Sequence, residues 1–240
     1  MWPAFSVTFG FLDSDMTEPT ANLEKKPVWD IYVRLFHWTL AVSILFAWWS
    51  GEQGGNWMTW HMYAGYTVLG LVLFRLLWGV AGSHYARFSE FVYSPTSTLR
   101  YTRQLLQHRE PHYLGHNPLG GWMVVALLLL AAAQAGTGLF ANDEIFTEGP
   151  LAQLISYDLS VEITRWHKGL FNILLLAIVL HILGVIYHQV FKRESLVQAM
   201  LHGYKLAAND TPSHPFAPFL RGLVLALVAA VIVWGVVNLA

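Results

Sequence analysis

The sequence predicts an all-α integral membrane protein, a four-helix transmembrane bundle followed by a fifth, C-terminal transmembrane helix. Three observations predict it. Apolar residues make up 55% of the 240 residues and Asp, Glu, Lys and Arg together only 12%, about half the charged share of a soluble domain. A globule of this size cannot cover its surface with so few charges. Five long apolar stretches, roughly 35–50, 60–74, 122–140, 170–191 and 222–239, contain none of the four charged residue types. At ~1.5 Å per residue each crosses, or nearly crosses, a ~30 Å hydrocarbon layer. Histidines lie within these stretches, where an ionisable side chain is a functional hypothesis by default.

The composition also excludes several classes. The absence of cysteine removes disulfides, thiolate-held iron–sulfur clusters, cysteine nucleophiles and covalent haem attachment. A net charge of −1 does not suit a polybasic nucleic-acid binder. No segment alternates with period two over many repeats, so a membrane barrel is not expected. No Walker loop, dinucleotide glycine fingerprint or Gly-x-Ser-x-Gly elbow stands where its structural context would exist.

Three regions follow in order. Residues 1–28 read as a cytoplasmic N-terminal tail; acids come early and no charged-then-apolar start marks a cleaved signal. Residues 29–204 form the four-helix core, and 205–240 a linker with the additional helix. The first span extends upstream to Val33 if Arg34 snorkels. The second extends past Arg75 to Val80, which puts Arg75 inside the span or near its end. The 83–119 connection is broken by Pro95, Pro111 and Pro118, and its middle, 96–107, reads as an interfacial helix. Residues 149–162 read as a similar amphipathic segment on the outer side.

Lys and Arg set the orientation. Lys25, Lys26 and Arg34 precede the first span, four arginines lie in 83–119, and Lys192, Arg193, Lys205 and Arg221 follow the fourth span. The 51–59 connection has no basic residue, and 141–169 has Arg165 and Lys168 against Asp143, Glu144, Glu148, Asp158 and Glu162. This asymmetry predicts a multi-pass protein of the bacterial inner membrane, its N-terminus cytoplasmic and its C-terminus periplasmic. Trp48, Trp49, Trp57, Trp60 and Trp166 stand where an outer aromatic belt belongs.

His37, His61, His167 and His181 are the informative histidines. His167 and His181 are fourteen residues apart, so on one helix they share a face about 21 Å apart along the axis. His61 is level with His167, and His37 with His181. Two pairs at two depths, each drawn from different helices, are what two stacked bis-histidine haems require. Gly65, Gly70, Gly136 and Gly138 give room for close approach. His188 competes with His181, but it lies about 31 Å from His167, beside Lys192 and Arg193, and the depth of His37 favours His181. Arg75 suits a haem propionate or a quinone carbonyl, against snorkelling to the interface. Arg34 is an interface anchor or a propionate contact. His116 and Asn117 either line an inner quinone pocket or form a helix-start turn, Asn117 capping and Pro118 first in the helix; the capping pattern is the stronger. His108, His112 and His116 recur every four residues, but Pro111 and Gly115 interrupt a metal-binding helix there.

Several stretches carry a family resemblance. They are Val33-Arg34-Leu35-Phe36-His37-Trp38, His61-Met62-Tyr63-Ala64-Gly65-Tyr66, Phe74-Arg75-Leu76-Leu77-Trp78-Gly79, Ser83-His84-Tyr85-Ala86-Arg87-Phe88, Gly115-His116-Asn117-Pro118-Leu119-Gly120 and Trp166-His167-Lys168-Gly169 with His181. In this order, from about Trp29 to Tyr204, they resemble the bacterial cytochrome b561 family, which includes the b-type cytochrome subunits of membrane-bound nickel–iron hydrogenases. The resemblance implies two non-covalent b haems, held by His37 with His181 on the cytoplasmic side and by His61 with His167 on the periplasmic side. It implies electron exchange between a membrane quinone and a periplasmic redox partner, a c-type cytochrome or a hydrogenase, with oligomerisation open. The chain would then be an electron-transfer subunit of a quinone-linked oxidoreductase. The rival readings are a stand-alone superoxide:quinone oxidoreductase and a haem-free transporter or membrane anchor.

Overall fold

The computed structural model describes residues 23–239; residues 1–22 of the expected N-terminal tail lie outside the described residues. The described residues start in β1 (Leu23–Pro27), then make a helical hairpin, α1 (Ile31–Gln53) and α2 (Trp57–Ala81). Two short helices, α3 (Phe88–Phe91) and α4 (Pro95–Leu106), lead to α5 (Pro118–Gly138) and the long α6 (Tyr157–Val190). The last elements are α7 (Leu196–His202), β2 (Tyr204–Ala208) and α8 (Phe219–Val237). Five of these helices, α1, α2, α5, α6 and α8, are long and apolar enough to span a membrane. Large apolar side chains such as Val42, Leu129, Leu183 and Val231 stay exposed on them, as lipid-facing residues do.

The caps explain the helix starts. Asp30 caps α1, Oδ1 accepting from Val33 N at 2.9 Å while Oδ2 accepts from the fully buried Trp78 Nε1 at 3.0 Å. One carboxylate thus joins the start of α1 to the end of α2. Gly54, at φ 62°, stops α1, a left-handed conformation that suits glycine. Ser94 caps α4, whose Tyr101 is buried while Leu99 and Leu106 face outward, the arrangement expected of an interfacial helix. Asn117 Oδ1 caps α5 by accepting from Gly120 N at 2.8 Å, with Pro118 first in the helix.

Two elements differ from the expectation. Residues 149–162 are no separate amphipathic segment. After one 3-10 turn at Ala152–Leu154, Ser156 caps α6, and nothing between Tyr157 and Leu170 breaks a helix. The 34 residues of α6 run about 51 Å, so the first turns project beyond the hydrocarbon. Second, β1 pairs antiparallel with β2, from Leu23 opposite Ala208 to Pro27 opposite Tyr204. A lone two-stranded pair is marginal in water. Here it is held by Gly203, whose carbonyl accepts from Val28 N at 2.9 Å and Trp29 N at 3.0 Å. Gly203 stands at φ 94°, and a Cβ there would lie 2.6 Å from Trp29 O.

The helices pack unevenly. α1 packs along α2, α2 on α5, α5 on α6, and α8 on α2. Gly222 lets α8 sit against the Tyr32 ring, Tyr32 Oη donates to Phe219 O at 2.6 Å, and Arg221 donates to Ala81 O at 3.1 Å. The backbones of α6 and the α1–α2 hairpin stand apart along their length. Short α7 bridges them at the strand end of the bundle: Arg34 Nη1 donates to Leu201 O at 2.5 Å, Trp38 Nε1 to Met200 O at 3.4 Å, and Gln189 of α6 to Gln198 at 2.8 Å. At the far end α6 is tied to the end of α5, where Ser160 Oγ donates to Phe140 O at 2.7 Å and Asn142 N donates to Thr164 Oγ1 at 2.9 Å.

Beyond α6, Glu194 gathers two histidines, with His188 Nδ1 at 3.2 Å and His112 Nδ1 at 3.8 Å. Burial alone raises the Glu194 carboxyl pKa. The His188 hydrogen bond and the charges of Lys205, His188 and His112 outweigh that and hold it below its usual value.

Two outcomes follow from these contacts. Gly203→Ala forces a left-handed residue and a clash with Trp29 O, so it should cost at least about 1 kcal/mol, read as a lower melting temperature in detergent. Because the Glu194 carboxyl titrates lower folded than unfolded, its contribution is full above the ordinary value of 4.5 and fades as pH falls below it. Acidification through that window should therefore lower the melting temperature of the native protein more than that of Glu194→Gln.

Candidate functional site

The groove between α6 and the α1–α2 hairpin is crossed by imidazoles. His37 of α1 faces His181 of α6, ring centres 6.3 Å apart and planes at 56°. His61 of α2 faces His167 of α6, ring centres 6.0 Å apart and planes at 80°. The two pairs are separated by fourteen residues of α6, about 21 Å along its axis. The histidines expected to pair are thus brought face to face, at two levels. His188 is not part of this groove contact; it is engaged by Glu194.

Local structure sets which nitrogen each ring offers. Ala47 O accepts from His61 Nδ1 at 2.7 Å, and an accepting carbonyl fixes the proton on Nδ1 and leaves Nε2 with its lone pair. Gly51 makes this approach possible, since a Cβ there would lie 3.0 Å from His61 Nδ1. Gln134 O accepts from His167 Nδ1 at 3.0 Å, with Thr137 Oγ1 at 3.1 Å, so His167 also offers Nε2. Gln134 Nε2 stands 3.2 Å from that nitrogen, a contact that a metal ligand bond would replace. His37 Nδ1 is buried without a partner.

The separation within each ring pair fits a flat metal macrocycle held from both faces. Metal–nitrogen bonds of about 2 Å on each face leave two axial imidazole centres about 6 Å apart. Gly65 follows His61 by four residues and Gly184 follows His181 by three, so each lies on its histidine's face. A Cβ at either would meet nothing within 4 Å. Gly136 is equally open, and Gly138 faces the His167 ring at 3.2 Å. Gly70 belongs elsewhere: it faces Val233 of α8 and serves helix packing. Among the described residues no cluster of three or more metal donors occurs.

The remaining expected residues are at the strand end. Arg75 does not snorkel. It is 2% exposed, beneath the rings of Phe88 and Phe91 at 5.0 and 5.6 Å, and its Nη1 has no partner. α3 folds over it, which a span prediction does not reveal. Arg34 ties α1 to α7 and keeps a buried, unpartnered Nε. His116 packs between Trp29 and Phe91, at 4.6 and 4.7 Å, with Nδ1 enclosed and unpartnered. Burial, then the charges of Arg75 and Lys205, push its pKa down to about 3, so the ring is neutral. It borders a cleft of about 350 Å³ that includes Tyr85, Tyr93 and Tyr113. Asn117 gives its side-chain oxygen to the α5 cap. Sequence reasoning missed Lys205, 5% exposed with Nζ unpartnered; its burial depends on the strand pair, which leaves no periodic signal.

A sequence profile of the prokaryotic cytochrome b561 family matches residues 28–203. The chain is 23% identical over 218 residues to the probable Ni/Fe-hydrogenase B-type cytochrome subunit of Azotobacter chroococcum mcd 1, covering 77% of this chain and 90% of that protein. It is 24% identical over 222 residues to that of Azotobacter vinelandii, with the same coverage of 77% and 90%. It is 26% identical over 217 residues to that of Cupriavidus necator, covering 74% and 86%. No solved structure matches. The chain is therefore a multi-pass helical membrane protein that belongs to the prokaryotic cytochrome b561 family, a family of electron-carrying b-type cytochromes.

Proposed function

We propose that the chain holds two non-covalent b haems and carries electrons across the bacterial inner membrane, between quinone and a periplasmic redox partner. The observation that carries this reading is the two facing histidine pairs, at ring separations of 6.3 and 6.0 Å, at two levels of one bundle. His37 and His181 ligate the iron nearer the cytoplasm; His61 and His167 ligate the iron nearer the periplasm. The haems, when bound, supply the one-electron chemistry. The chain sets ligation, spacing and dielectric. The Ala47 and Gln134 carbonyls hold Nδ1–H of His61 and His167, which leaves the Nε2 lone pairs free and would let them ligate a metal. Apolar walls exclude water from the path.

The basic residues of the strand end support a cytoplasmic location for it, and the acidic 141–169 connection a periplasmic location for the far end. Arg75, enclosed with a free Nη1, takes an acidic side chain of the inner haem, and Arg34 lies on the same side. The cleft beside His116 is the quinone site of this reading, its neutral imidazole a hydrogen-bonding group for a quinone carbonyl. The relatives' names support a hydrogenase as the periplasmic partner, and the acidic outer connection suits a basic docking face. A c-type cytochrome meets the same charge requirement.

Replacement of His37, His61, His167 or His181 by Ala should each reduce the haem content of purified protein from two per chain to one, while His188→Ala should keep both. A His181→Ala protein that retains both haems overturns the pairing.

A further inference from the structure

We propose that Lys205, carried by β2, acts with Arg75 as a buried cationic clamp for the two carboxylates of the haem seated between His37 and His181. The inference rests on the two-haem reading and adds a residue that lies outside the family match, which ends at residue 203.

A charge removed from water needs an opposite charge or hydrogen bonds. Four charged side chains are fully buried among the described residues: Lys26, Asp30, Arg75 and Lys205. Asp30 is committed to Val33 N and Trp78 Nε1. Lys26 Nζ is satisfied by Glu24 Oε2 at 2.9 Å and Asn209 O at 3.1 Å. Arg75 Nη1 and Lys205 Nζ have nothing. The β1–β2 register places Lys205 directly opposite Lys26, and like charges opposed across a strand pair are destabilising. Glu194 is the acid that acts on Lys205, but it accepts no hydrogen bond from Nζ, and its Oε1 faces His188 and His112. Asp30 acts on Arg75, and Glu194 on Lys205, only across space, so neither cationic head group has a hydrogen-bonded anion of the chain's own.

One run of contacts links the two cations. The Arg75 guanidinium lies 5.6 Å from the Phe91 ring, that ring 4.7 Å from His116, and His116 4.6 Å from Trp29. Trp29 N donates to Gly203 O, two residues before Lys205. His116 lies within electrostatic reach of Arg75 and Lys205 and of the facing rings His181 and His37. An iron porphyrin held by those two rings presents two carboxylates on one edge. Two carboxylates match the two cations, the guanidinium donating a bidentate pair of hydrogen bonds and the ammonium acting as a point charge. A quinone is uncharged and leaves both cations bare. A lipid phosphate would have to enter beneath the strand pair, where Lys205 is enclosed.

The test compares purified full-length wild type, Lys205→Met and Lys205→Arg by redox titration that resolves the two haems, and by haem transfer to excess apomyoglobin. Loss of a nearby positive charge disfavours the added electron. Lys205→Met should lower the midpoint potential of one haem, the one lost in His37→Ala, and leave the other unchanged. That haem should transfer at least about tenfold faster, the loss of one charge-assisted hydrogen bond. Lys205→Arg should restore both properties. Unchanged potentials and transfer rates in Lys205→Met, or an equal shift of both haems, overturn the inference while leaving the two-haem reading standing; wild type without haem overturns that reading itself. If Lys205→Met does not accumulate, apoprotein loaded with iron protoporphyrin dimethyl ester supplies the test. Selective weakening at the His37–His181 site, lessened by no change of anionic lipid, supports the clamp. Equal binding at both sites, or dependence on anionic lipid alone, overturns it.

Discussion

The structure depends on a separation that the helices do not close. α6 faces the α1–α2 hairpin across a groove, and four imidazoles reach over it in two pairs. In lipid, apolar side chains gain little by leaving one apolar neighbour for another, so helix spacing is set by close packing and polar ties. Here the ties lie at the ends. Ser160 and Thr164 bind α6 to the end of α5, which itself packs on α2 through Val68, Val72, Ala131 and Ala135. At the strand end α7 is a spacer, bonded to α1 through Arg34 and Trp38 and to α6 through Gln189. Between the ends the backbones stand apart, bridged by the two imidazole pairs and by Trp48 against Phe171 at 5.9 Å.

The strand end is organised by a second constraint, the Asp30 carboxylate. It caps α1 and fixes Trp78 in one stroke, and the Gly203 carbonyl then brings the start of the chain's core to β2. These contacts enclose Arg75, His116 and Lys205 in one low-dielectric region, where bare cations are costly. The far end is built differently. There Asp143 Oδ1 accepts from the backbone of Ile145, Phe146 and Thr147 at 2.8–2.9 Å, and its acids lie near the surface, where charge steers encounter. One end of the bundle encloses cationic side chains, and the other carries its acids near the surface.

Much of this was legible in the residues. Charge-free runs long enough to cross a membrane identify all five spans, and the fourteen-residue step between His167 and His181 puts them on one face of one helix. Asn117-Pro118 reads correctly as a cap. Other features have no local signal. Leu23–Pro27 and Tyr204–Ala208 show no sustained alternation of apolar and polar residues, and they pair because Gly203 and Trp29 hold them together. Lys205 reads as one more cytoplasmic lysine until that pairing buries it. Gly70 has the same identity as Gly65, yet one meets α8 and the other the groove. The fate of Arg75 was open because a span pattern gives depth and not what folds over the helix end; Phe88 and Phe91 decide it.

Haem ligation by the two histidine pairs is tested at once by the haem-to-chain ratio of the purified, correctly inserted protein, measured as the pyridine haemochrome against amino-acid analysis. Two b haems per chain is the value that two facing imidazole pairs require. A ratio of one would leave a pair without a metal to hold, and a colourless protein would contradict the account altogether.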